Sequence, residues 1–114
     1  MATIVVKVNS IAWEQAVKDG TAVYIGRANP RMGFKGSRWA NPFRIAPSKS
    51  REECIESFTG YMRRDRLFSE VARIELKGKV LGCWCAPLAC HGDLLARLAD
   101  MSEEEYQDWL GDQP

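Results

Sequence analysis

Three short apolar runs punctuate the chain: TIVVKV from Thr3 to Val8, TAVYI from Thr21 to Ile25, and KVLGCWC from Lys79 to Cys85. Segments with helical spacing separate them, and this alternation restricts the fold more than any other feature. A strand that feeds a helix and returns to the same sheet makes a right-handed crossover, so the sheet is parallel or mixed and covered by helices. The sequence predicts one α/β domain over residues 1–114. Its expected form is a small three-layer Rossmann-like unit with a three- or four-stranded, mostly parallel sheet. A chain of this length buries about two-thirds of its unfolded surface and needs neither disulfides nor metal to hold a core.

Between the strands, start and stop signals mark the helices. Ser10 caps a helix through about Lys18 that brings Ile11, Trp13, Ala16 and Val17 near one face, and Gly20 ends it. Ser50 and Glu53 form a capping box for a helix reaching about Arg64, with Cys54, Ile55, Phe58, Tyr61 and Met62 turned inward. A further helix from Leu67 to about Leu76 is expected to bury Leu67, Val71 and Ile74. After the third strand, Leu94, Leu95 and Leu98 should face the core from a helix over 92–99. Ser102 and Glu105 make a second capping box before a helix carrying Tyr106, Trp109 and Leu110.

Charge narrows the function classes. The net charge of +1 argues against coating nucleic acid by charge alone, although nucleic acid is not excluded as a partner. The distribution is uneven. Arg27, Arg31, Lys35, Arg38, Arg44, Lys49 and Arg51 fall in one stretch without an acid, and the tail from Asp100 to Pro114 holds acids without a base. A basic loop in a neutral chain points to a local anion site. No apolar run approaches the roughly 18 residues of a membrane span, and the N-terminus lacks the pattern of a secretory signal. A cytoplasmic, reducing setting is expected, with the cysteines as thiols or metal ligands.

Two segments break the regular pattern. From Arg27 to Lys49 prolines, glycines and asparagines alternate with Phe34, Trp39 and Phe43, giving a long loop with aromatic anchors and a short edge strand expected over 43–45. Residues 82–93, GCWCAPLACHGD, gather Cys83, Cys85, Cys90, the lone histidine His91, and Asp93. In parallel sheets ligands bind where strand ends meet helix N-termini, so both segments are expected at one rim.

YIGR (Tyr24 to Arg27), SRWANPF (Ser37 to Phe43) and GCWCAPLACHGDLL (Gly82 to Leu95) together resemble the domain-of-unknown-function family 4326 of phages and bacteria. The likeness covers about residues 21–99, and Ala40 stands where a glycine more often precedes Asn41. The resemblance implies nucleotide metabolism, DNA modification or sequestration of a host signalling nucleotide as settings, and the host cytoplasm if the protein is phage-encoded.

The side chains allow three kinds of chemistry. Gly26, Arg27, Arg38, Trp39 and Asn41 can form a nucleotide-sized pocket: guanidiniums clamp a phosphate, an indole stacks on a base, and an amide meets its edge. His91, Asp93 and Cys90 are the candidate catalytic groups, as acid or base, as base, and as a nucleophile activated at a helix start. Cys83, Cys85, Cys90 and His91 could instead hold zinc, although the two-residue gaps of a zinc knuckle are missing. The predicted function is binding of a nucleotide or related phosphorylated small molecule at the C-terminal edge of the sheet, with hydrolysis or group transfer as a further step. The alternatives are a zinc-stabilised binding module and a non-catalytic sponge for a signalling nucleotide. The sequence leaves the oligomeric state open.

Overall fold

A computed structural model describes residues 1–111. The chain is a mixed α/β domain with a three-stranded parallel sheet and five α-helices among the described residues. Strands β1 (Ile4–Lys7), β2 (Ala22–Tyr24) and β3 (Val80–Cys83) lie in the order β1-β3-β2. Val5 and Val23 both stand opposite Leu81, so β3 is the centre of the sheet. Its neighbours extend the ladder at the carboxyl end, where Val8 donates to the Cys83 carbonyl and Ile25 to that of Gly82, each at 3.0 Å.

Alternation along β3 sorts the two faces. Gly82 points toward α1 (Ile11–Asp19), and a Cβ there would lie 2.4 Å from the Trp13 ring. Leu81 and Cys83 point the other way, into a core shared by α2 (Arg51–Arg64), α3 (Arg66–Leu76), α4 (His91–Asp100) and α5 (Glu103–Gly111). Phe58, Met62, Leu76, Leu81, Leu95, Leu98 and Tyr106 are fully buried there. Both capping boxes form as expected, at Ser50–Glu53 and Ser102–Glu105.

Three expectations need correction. On α1 only Trp13 and Ala16 are buried, while Ile11 and Val17 are 85% and 55% exposed. The Trp13 indole is the α1 side chain that occupies the space above Gly82. On α3 the buried residues are Ser69, Ala72 and Leu76, while Leu67 and Ile74 face outward at 73% and 79% exposure. The phase is set by contacts that hydropathy does not record. Asp65 caps Phe68, Phe68 stacks on Trp39 at 5.0 Å, and the Ser69 hydroxyl meets that of Tyr106. Residues 43–45 form no strand. Arg27 donates to the carbonyls of Asn41 and Phe43 at 2.8 and 3.3 Å, and this holds the loop in an irregular path. Asp112, part of the acidic tail, lies outside the described residues.

The Gly82–Trp13 contact yields a coupling test. Gly82→Ala is expected to destabilise the fold by about 1–3 kcal/mol through overpacking. Combined with Trp13→Leu, the cost should be less than the sum of the two single changes, as measured by urea unfolding.

Candidate functional site

The carboxyl ends of β2 and β3 open into a cavity of about 400 Å³, walled on its far side by the loop after β2 and the start of α2. The two segments that break the regular pattern therefore meet at one rim. Gly26, Arg27, Asn29, Asn41 and Phe43 come from the first loop, and Cys83, Cys85, Cys90 and His91 come from the second segment. Arg44 and Arg51 also line it, and among the described residues no aspartate or glutamate does. Arg27, Arg44 and Arg51 thus give the cavity a positive lining, with no carboxylate among the described lining residues to neutralise it.

Each loop is held in place by identifiable bonds. Besides bracing residues 41–43 with Arg27, the first loop places Asn41 between its own turn and α2. The Asn41 side chain accepts from the Phe43 N–H at 2.9 Å and donates to the Cys54 carbonyl at 3.3 Å. In the second segment Arg51 donates to the Ala89 carbonyl at 3.2 Å, tying α2 to the turn before α4. Guanidinium carries five N–H donors, so both arginines keep donors for a ligand.

His91 sits at the first position of α4 and is almost wholly buried, with its ring edge-on to Phe58 at 5.1 Å. Its Nε2 lies 3.0 Å from the Ile25 carbonyl. Burial pushes its pKa below the usual imidazole range, against the opposing pull of the Ile25 and Trp39 carbonyls. The ring is a cross-link between α4, the end of β2 and the loop. Gly92 lets α4 come this close: a Cβ there would lie 2.6 Å from Ile25 Cδ1 and 3.2 Å from the Cys90 sulfur.

Asp93 is outside the cavity. Its carboxylate accepts from the Cys90 N–H at 3.1 Å, and the residue borders a separate surface groove beside Thr3, Arg97 and Asp100. Arg38 and Trp39 are also elsewhere. Trp39 is buried in the core on Phe68, and Arg38 lies over the Trp39 ring and pairs with Glu75. Trp39 therefore holds the loop to α3 and leaves no ring face for a base. Phe43 is the loop aromatic that reaches the cavity.

The four cysteines are all free thiols. The sulfurs of Cys83 and Cys90 lie 3.6 Å apart, and the Ala86 N–H lies 3.4 Å from the Cys83 sulfur. The Cys90 thiol and nearby backbone amides stabilise the Cys83 thiolate and lower its pKa to about 6. Cys90 moves upward, because its proton is held by Cys83 and the group is buried. Of the two, Cys83 is the thiol whose pKa falls, although Cys90 is the one that stands at the helix start. Among the described residues no group of three or more His, Cys, Asp and Glu side chains could hold a metal ion. The four residues named as zinc ligands line one cavity, yet the His91 ring is turned to backbone carbonyls.

Sequence reasoning singled out neither Arg44 nor Arg51 as a site residue, although both line the cavity. The acid-free basic run contained the signal for both arginines.

The fold keeps His91 neutral, and unfolding frees it to protonate. The stability this gives is present above the unfolded-state value of 6.5 and is lost as pH falls from there through the folded-state value. His91→Gln is expected to cost about 1–3 kcal/mol at pH 7.5 and to flatten the acid-side decline, as read from urea unfolding across a pH series.

A family model described as a domain of unknown function (DUF4326) matches residues 8–101, a wider span than the motifs alone cover and one that takes in α1. The chain is 31% identical over 77 residues to an uncharacterised 12.4 kDa protein from the nrdA-td intergenic region of Enterobacteria phage T4. That alignment spans 64% of this chain and 70% of the phage protein. No solved structure matches. With its three signature segments contributing to one rim and the family match running from the end of β1 through α4, the chain belongs to the DUF4326 family.

Proposed function

We propose that the protein binds a nucleotide or related phosphorylated small molecule in the cavity at the carboxyl edge of its sheet. One observation carries this reading: Arg27, Arg44 and Arg51 surround a cavity of about 400 Å³ that no carboxylate of the described residues lines. A phosphate meets several guanidiniums there, and charge-assisted bonds of this kind are about twice as strong as neutral ones. Phe43, Ile45 and Ile55 supply an apolar wall for a base, and Asn29 adds an amide beside it. The parallel strands with helices on both faces support a Rossmann-like reading of the fold, in which strand carboxyl ends are the usual ligand edge.

The bonds at the rim favour capture of the phosphate ester over its hydrolysis. The His91 ring is committed to backbone, and Asp93 caps α4 away from the cavity. The cytoplasm is the setting this reading implies, since a reducing compartment keeps the rim cysteines as thiols. Among the described residues no helix is long and apolar enough to cross a membrane.

Calorimetric titration with AMP, ADP and ATP tests the proposal. Arg44→Ala and Arg51→Ala are each expected to weaken binding by about tenfold or more, from the loss of a charge-assisted bond of roughly 1.5–3 kcal/mol. Arg38→Ala, outside the cavity, should leave affinity unchanged. No binding by any of the three nucleotides would remove the reading.

A further inference from the structure

The cavity also holds a feature that anion binding does not use. Cys83 and Cys90 are in sulfur-to-sulfur contact at 3.6 Å, and both line the cavity that contains the arginines. Their surroundings are unequal. Cys83 ends the central strand and receives the Ala86 N–H at 3.4 Å, while Cys90 immediately precedes α4 and lies against Gly92. The sulfurs need to close by only about 1.5 Å to reach the roughly 2.05 Å of a disulfide bond.

We propose that Cys83 and Cys90 form a thiol–disulfide exchange pair that reduces a low-molecular-weight disulfide carrying phosphate or carboxylate groups. Cys83 is the attacking sulfur and Cys90 the resolving one. The anionic character of the substrate rests on the ligand class proposed above, whereas the reactivity of the pair rests on its own sulfur geometry.

The step balances. The Cys83 thiolate attacks one sulfur of the bound disulfide, the substrate S–S bond breaks, and the first substrate thiolate departs past the guanidiniums. Cys90 then gives up its proton and attacks the Cys83 sulfur. The Cys83–Cys90 bond forms, the mixed disulfide breaks, and the second substrate thiol leaves with that proton. Two electrons pass from the protein pair to the substrate, so one disulfide becomes two thiols. The depressed Cys83 value of about 6 supplies thiolate at neutral pH, and the raised Cys90 value keeps the resolving thiol protonated until the second step.

The test is a single-turnover reaction of the reduced full-length protein with three probes. Oxidised glutathione carries carboxylates, coenzyme A disulfide carries phosphates, and bis(2-hydroxyethyl) disulfide is neutral. Intact mass and peptide mapping should show a Cys83–Cys90 bond in the wild-type protein and a mixed disulfide trapped on Cys83 in Cys90→Ser. At least one anionic probe should react about tenfold or more faster than the neutral one, an advantage that salt suppresses. Comparing the two anionic probes identifies carboxylate or phosphate as the recognised group. Mapping on the wild-type protein keeps the result independent of whether a variant folds. No Cys83–Cys90 bond with any probe, or an adduct on Cys85 in place of Cys83, overturns the exchange pair. Nucleotide binding by calorimetry would then still stand or fall separately. Equal rates with all three probes overturn the assignment of an anionic substrate.

Discussion

The whole rim depends on one close approach: α4 begins against the sheet with no side chain at Gly92 to hold it away. That contact brings the His91 ring within bonding distance of the Ile25 carbonyl and the Cys90 sulfur within touch of Cys83. A larger residue at Gly92 would push into Ile25, Val5 and Cys90 together. The same helix buries Leu94, Leu95 and Leu98 in the core shared with α2, α3 and α5, so packing below the rim fixes the chemistry above it. Interiors are dense enough that a small shift in such a helix is felt by all its neighbours.

The polar groups divide into those that build the cavity and those left to face its contents. Asn41, Asp93 and His91 satisfy backbone groups and hold the two segments in register. Arg27 and Arg51 brace the walls while keeping donors free, and Arg44 contributes charge. Burial takes its toll of the ionised form of His91, whereas the thiol and amides around Cys83 favour its anion. The histidine that draws the eye in the sequence thus becomes a structural bolt, and a strand cysteine carries the lowered thiol pKa.

Much of this was legible in the sequence. Turn and cap chemistry located the helices closely, because Ser10, Ser50 and Ser102 act through local bonds that a few neighbouring residues determine. Convergence of the two segments followed from the strand–helix alternation. The α3 face could be read only in part: Val71 packs partly buried against the core as its spacing suggests, but Leu67 and Ile74 face outward, while Ser69 and Ala72 are buried. Trp39 and Arg38 were misplaced for a related reason. A loop indole looks the same in sequence whether it meets a ligand or a distant helix, and Phe68, which decides the matter, lies far along the chain. The sulfur pairing escaped because it arises from Cys83 ending the strand and Cys90 standing immediately before the helix, a relation that spacing alone does not fix.

The strand order has a consequence for how the chain acquires its structure. β1 and β2 are never neighbours, and the strand between them is encoded last. During synthesis the first two strands can find no ladder until the segment around residue 80 has left the ribosome. Such late, long-range closure slows assembly, because chain entropy must be surrendered before the pairing returns anything. Until that segment is made, neither β1 nor β2 has its native pairing partner.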